Sequence, residues 1–140
     1  MSHRDIINDY VKRFSEMVGV EMQPLDEEGF TAIKRGSATV GINLLADHGI
    51  LVFLAPIMHV PDRSQAEFYR RLLELNFLST SDGAFAIDRK TGLVHLRALR
   101  GLEGLDFEEF TDMLDTVGAV ADEWDDKLRA EFGAPPPKAG

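Results

Sequence analysis

The sequence predicts an α+β fold, an antiparallel sheet with helices in the chain order α-β-β-β-α-β-β-α. Three observations carry that expectation. The hydrophobic period is near 3.6 residues up to Gly19, shortens to two over residues 30–57, and returns to the helical value in residues 62–79 and again after Asp106. The strand-like runs are separated by short turn-forming segments, Gly36-Ser37 and Arg89-Lys90-Thr91-Gly92 among them, which favour hairpins over crossovers. The central helix, 62–79, carries more apolar surface than one sheet can cover. Helices set against an antiparallel sheet define the α+β class.

In chain order, Ile7, Tyr10, Val11, Phe14, Met17 and Val18 recur at three-to-four spacing, with Ser2 available to cap the start and Gly19 the end. Residues 20–29, with Pro24 and the acids Asp26, Glu27 and Glu28, show no period and are expected to connect. Three strands follow at 30–35, 38–45 and 50–57. The second puts Val40, Ile42 and Leu44 on one face and Thr39, Gly41 and Asn43 on the other. The third, Ile-Leu-Val-Phe-Leu-Ala, is apolar on both faces and belongs in the middle of a sheet or under a partner. Pro56 and Pro61 are expected to bracket its exit, since proline cannot donate to a ladder.

The central helix is expected to start with Asp62 and Gln65 as a capping pair. On a helical wheel Leu75, Phe68, Leu72, Tyr69, Leu73, Ala66 and Phe77 fill an arc of about 200°, whereas a stripe of a little over about 100° suffices for one contact. The helix is therefore expected to be covered on two sides, by its own sheet and by a second copy of the chain. Phe68, Leu72 and Leu75 are the expected dimer-interface residues. Asn76 falls inside the apolar arc. It either helps to end the helix or fixes the register of a dimer, as a single buried polar residue can. Residues 85–88 and 93–99 form a second hairpin, with Asp88 and Gly92 as its turn formers. Asp106 and Glu109 open a final helix whose buried face is marked by Phe110, Leu114, Val117, Ala121, Trp124 and Leu128. Between Asp106 and Asp126 its other positions hold nine acids and no Lys or Arg, which predicts a strongly negative outer face.

The chain has 140 residues, 44% of them apolar, enough for one domain with a real core, expected over 1–133 and followed by a flexible Pro-rich tail at 134–140. Acids outnumber Lys and Arg by 24 to 15, for a net charge of -9 and a pI near 4.8. That balance argues against nucleic acid and against anionic membranes as partners. No apolar run approaches the roughly 18 residues of a membrane span, and residues 1–10 lack the apolar core of a signal peptide. The absence of cysteine excludes disulfides, thiolate metal sites and a cysteine nucleophile. His48, His59 and His95 show no metal-ligand spacing, and neither a Gly-x-Ser-x-Gly nor a phosphate-loop pattern surrounds Ser37. No catalytic residue, metal or cofactor is expected.

Three stretches taken together, FYRRLLELNF, GAFAIDRKTGLVHL and LEGLDFEEF running into a last helix with Trp124, resemble the type III secretion chaperones of the Tir-chaperone type. The resemblance implies a small acidic homodimer of the bacterial cytoplasm that binds the extended N-terminal segment of a secreted effector and keeps it export-competent, without enzymatic activity. An extended guest of that kind can pair with a strand edge while its side chains enter apolar pockets. Tyr10, Phe14, Ile33, Val40 and Ile42 are the expected client-binding positions. The alternative is a regulatory or scaffold dimer of the same fold that engages a folded partner through the acidic face of the last helix.

Overall fold

The computed structural model describes residues 2–133. The expected tail at 134–140 lies outside them. Helix α1 (His3–Val18) begins at Ser2, whose hydroxyl accepts the Asp5 N–H at 3.1 Å while the Asp5 carboxylate accepts the Ser2 N–H at 3.4 Å. This reciprocal pairing satisfies two of the amides that a helix start leaves open. Strands β1 (Phe30–Arg35), β2 (Ala38–Leu45) and β3 (Ile50–His59) form a meander, with a 3-10 turn at Ala46–His48 joining the last two. Helix α2 (Gln65–Leu78) leads to the hairpin β4 (Ala84–Ile87) and β5 (Leu93–Gly101), and α3 (Phe107–Phe132) closes the described chain.

The sheet runs β1-β2-β3-β5-β4, antiparallel throughout. The strand that is apolar on both faces, β3, lies at its centre, as its composition requires. One sheet face is covered by helices. Val40 and Ile42 of β2, Phe53 and Ala55 of β3 and Leu96 of β5 are buried there with Phe110, Leu114 and Ala121 of α3 and with Ile7, Val11 and Phe14 of α1. Phe110 is the hub of this layer, its ring 5.5 Å from Tyr10, 6.0 Å from Phe53 and 6.4 Å from Phe14. Burying each such ring is worth about 1.5–3 kcal/mol.

Two local expectations change. Pro56 does not end β3. It sits within the strand opposite His95, and the ladder shifts register between Pro56 and Met58, so a bulge absorbs the missing N–H. The central helix starts at Gln65, not Asp62. Its N-cap is Ser64, held at φ 57° and making no side-chain cap bond, while the Gln65 amide donates to the Pro61 carbonyl at 2.9 Å. The chain leaving β3 turns sharply into the helix, and that turn, not a capping pair, sets where the helix begins.

Candidate functional site

The wide apolar arc of α2 divides into two faces. Phe68, Leu72 and Leu75 point into the domain's own core, and Phe68 meets the Phe132 ring of α3 edge-on at 5.0 Å. The residues picked for a dimer contact are thus enclosed within one copy. The outward face carries Ala66, Tyr69, Leu73 and Phe77, with Leu73 70% and Phe77 84% exposed. Steps of three, four and four residues set these in one line along the helix. Arg70 and Glu74, paired at 3.8 Å, flank it.

Asn76 lies on the wheel between the two faces. Its carbonyl oxygen accepts the Phe85 N–H at 2.8 Å and its amide donates to the Phe85 carbonyl at 3.3 Å. The side chain imitates a neighbouring strand and occupies the outer edge of β4. Neither ending the helix nor joining two copies describes this contact, which ties α2 to the sheet of its own chain.

Of the five residues expected to meet a client, Phe14 of α1 and Ile33, Val40 and Ile42 of the sheet are buried in the layer between the helices and the sheet, and Tyr10 is half-buried between Phe107 and Phe110 with its hydroxyl donating to the Leu105 carbonyl at 3.1 Å. They form the floor between sheet and helices. The register places Phe30, Ala32, Asn43, Val52, Leu54, Pro56 and Leu99, with the polar Lys34, Thr39 and Arg97, on the opposite sheet face, which no helix covers among the described residues. Phe30 and Leu99 are each 40% exposed there. Phe30 lies across Gly41: a Cβ at that glycine would sit 2.7 Å from its ring, so the missing side chain is what allows the ring to lie flat on the sheet.

The two sheet edges differ. At β4 the outer groups of Phe85 are taken by Asn76. At β1 the N–H and C=O of Phe30 both turn away from β2 and bond Asp26, each at 2.9 Å. Direction alternates along an antiparallel strand, so the backbone groups of Ala32 and Lys34 also face outward. Among the described residues, nothing bonds to those groups. Ala32–Lys34 is therefore an open strand edge next to the bare sheet face.

Charges are arranged more locally than composition implies. On α3, Asp115 pairs with Arg35 at 2.9 Å, Glu109 with Arg100 at 3.1 Å and Glu123 with Lys127 at 3.3 Å, and Asp125 is buried against the β1–β2 turn. His95, opposite Pro56 on the bare face, has its pKa lowered by burial, against the pull of Asp88 and a backbone hydrogen bond at Leu93. Among the described residues no three His, Cys, Asp or Glu side chains converge as metal ligands, and no helix is long and apolar enough to cross a membrane.

Among the described residues, an antiparallel sheet of five strands with three helices in this order is the fold of the type III secretion chaperones. The chain belongs to the Tir chaperone protein (CesT) family, whose model matches residues 9–125. Among solved structures it is similar to the ExsC–ExsE complex, at 26% identity over 91% of this chain and 97% of the other, with a TM-score of 0.75. The HopA1–SchA chaperone–effector complex follows at 17% identity over 91% and 95%, TM-score 0.66. The ExoU–SpcU complex of the Pseudomonas aeruginosa type III secretion system is similar at 16% identity over 90% and 97%, TM-score 0.63. At these last two identities the likeness is one of fold. No curated protein sequence matches the chain.

Proposed function

We propose that this protein is a non-enzymatic, cytoplasmic chaperone that acts as a homodimer and holds the N-terminal segment of a secreted effector extended and competent for export by a type III secretion system. The observation that carries the reading is the pairing of an open strand edge at Ala32–Lys34 with the bare apolar sheet face that starts at Phe30. An extended segment laid along β1 gains main-chain hydrogen bonds, and every second side chain falls on the apolar face. The ordering cost of a flexible guest requires a broad apolar footprint to offset it. Family membership and the similarity to the HopA1–SchA chaperone–effector complex support the same reading. For the dimer, the line Ala66, Tyr69, Leu73 and Phe77 replaces Phe68, Leu72 and Leu75 as the proposed contact. Such an exposed apolar line on a regular helix is the kind of surface that marks a protein interface.

The test is affinity capture from the native cells, followed by limited proteolysis of the complex. One dominant client, protected over an N-terminal segment, is the expected result. Recovery of nothing from cells that express a secretion system sinks the reading. The other reading, a regulatory or scaffold dimer that engages a folded partner through the acidic face of α3, has less surface to work with, because several of those acids already hold partners within the chain.

A further inference from the structure

The turn between β1 and β2 is pressed against α3 by three side chains. Ser37 Oγ lies 2.6 Å from Asp122 Oδ1 and 2.8 Å from Asp125 Oδ2, and the Ser37 N–H donates to the same Asp122 oxygen at 2.7 Å. Asp125 is 2% exposed. A serine hydroxyl has one hydrogen to donate, yet it stands at hydrogen-bond distance from two carboxyl groups. With both ionised, one of the two short O···O contacts is a repulsion between lone pairs, and Asp125 is a buried charge facing another acid. With one proton on Asp125 the chain closes: Asp125 donates to Ser37 Oγ, and Ser37 donates to Asp122. The turn backbone lies close against the helix: a Cβ on Gly36 would sit 2.6 Å from the Asp122 carboxyl carbon.

We propose that Asp125 holds a proton in the folded protein, and that the Asp125–Ser37–Asp122 chain is a pH-sensitive clasp that releases the β1–β2 turn from α3 when that proton is lost. The titration directions agree with the geometry. Burial, the largest influence, raises Asp125 above the ordinary aspartate value, and Asp126 adds to this, while the Ser37 hydrogen bond, the Asp126 N–H and Arg129 oppose it. Asp122 is lowered by its hydrogen bonds to the Ser37 hydroxyl and N–H. The other charged groups at the contact are Arg35 of β1, paired with Asp115 of α3 at 2.9 Å, and Arg129, which pairs with Asp126 and donates to the Ile57 carbonyl of β3 at 3.2 Å. For Asp125 the folded state binds more protons than the unfolded one, so its contribution to stability declines as pH rises from the ordinary aspartate value to the raised one. For Asp122 the sign is reversed. Its contribution is present above the ordinary value and is lost as pH falls through the lowered one.

Carbon-detected NMR of the aspartate carboxyls, with amide exchange at Ser37, tests the clasp on the full chain. Asp125 should titrate above the exposed aspartates. Between the ordinary aspartate value and that titration the Ser37 protection factor, corrected for intrinsic exchange, should fall about tenfold per pH unit, because one proton leaves with each opening, and it should level off above it. Asp125→Asn, neutral at every pH, should keep that protection flat over the same range. Asp122→Asn removes the facing charge and leaves the bridge, and should move the Asp125 titration to lower pH. Asp125 titrating together with the exposed carboxyls, or wild-type Ser37 protection that does not change with pH, overturns the proposal.

Discussion

Asn76 shows how one side chain can be misjudged when only its own helix is visible. Its place within an apolar arc marks it as buried and special, which is correct, but its partner is the backbone of Phe85 nine residues on, and nothing in the sequence names that contact. Replacing Asn76 by Leu leaves the Phe85 N–H and C=O without partners beside a half-buried helix. Each such loss costs about 1–3 kcal/mol, so the variant should unfold at clearly lower urea concentration, with its oligomeric state unchanged in sedimentation. An unchanged unfolding midpoint with a lost dimer would restore Asn76 to an interface role. The Asp122–Asp125 pair is a second case. The run of acids reads as a uniform solvated face, yet Asp125 is enclosed, because the hairpin that covers it comes from the far side of the sequence.

The helices and strands themselves were legible almost to their ends, because each carries its own period and its own stop signals. Ser2, Gly19 and Asp106 act as caps as their positions imply, and Gly133 caps the end of α3. Pro56 misled because its tolerance depends on a bulge against β5, a property of the pair of strands and not of β3 alone. For α2 the width of the apolar arc was legible, but a wheel has no label for inside. Which half faces the sheet follows from where the chain leaves β3 and enters β4. The two halves should now behave differently. Phe68→Ala removes a fully buried ring and should cost about 3–5 kcal/mol in unfolding free energy. Phe77→Asp, on a side chain that is 84% exposed, should leave the unfolding midpoint of the monomer nearly unchanged and convert a dimer into monomers in light scattering. A protein that stays dimeric with Asp at both positions 73 and 77 removes the α2 contact from consideration.

At the scale of the whole molecule, the strand order β1-β2-β3-β5-β4 makes β3 and β5 neighbours although a helix and a strand separate them in sequence. Apolarity on both faces of β3 placed it centrally, but which sheet face the helices cover is written in no single strand, which is why Phe30, Leu54 and Leu99 were not picked out and the enclosed Val40 and Ile42 were. A client held by main-chain bonds and apolar contact on that face should keep its affinity between low and high salt, whereas binding through the acidic face of α3 should weaken steeply. Titration calorimetry with the captured client at two ionic strengths distinguishes them.

The unequal edges of the sheet carry a further consequence. A sheet with two open edges can accept a strand on each side, and copies of it can stack into a growing ribbon. Here Asn76 takes the outer groups of Phe85 in a four-residue strand, leaving those of Ile87 outward on that side, and the other side presents the short run Ala32–Lys34, ending in a lysine. The two openings are therefore unequal and both short. The strand capture proposed above would fill the longer of them, and the single residue left outward at β4 is too short a template for copies to propagate as a ribbon.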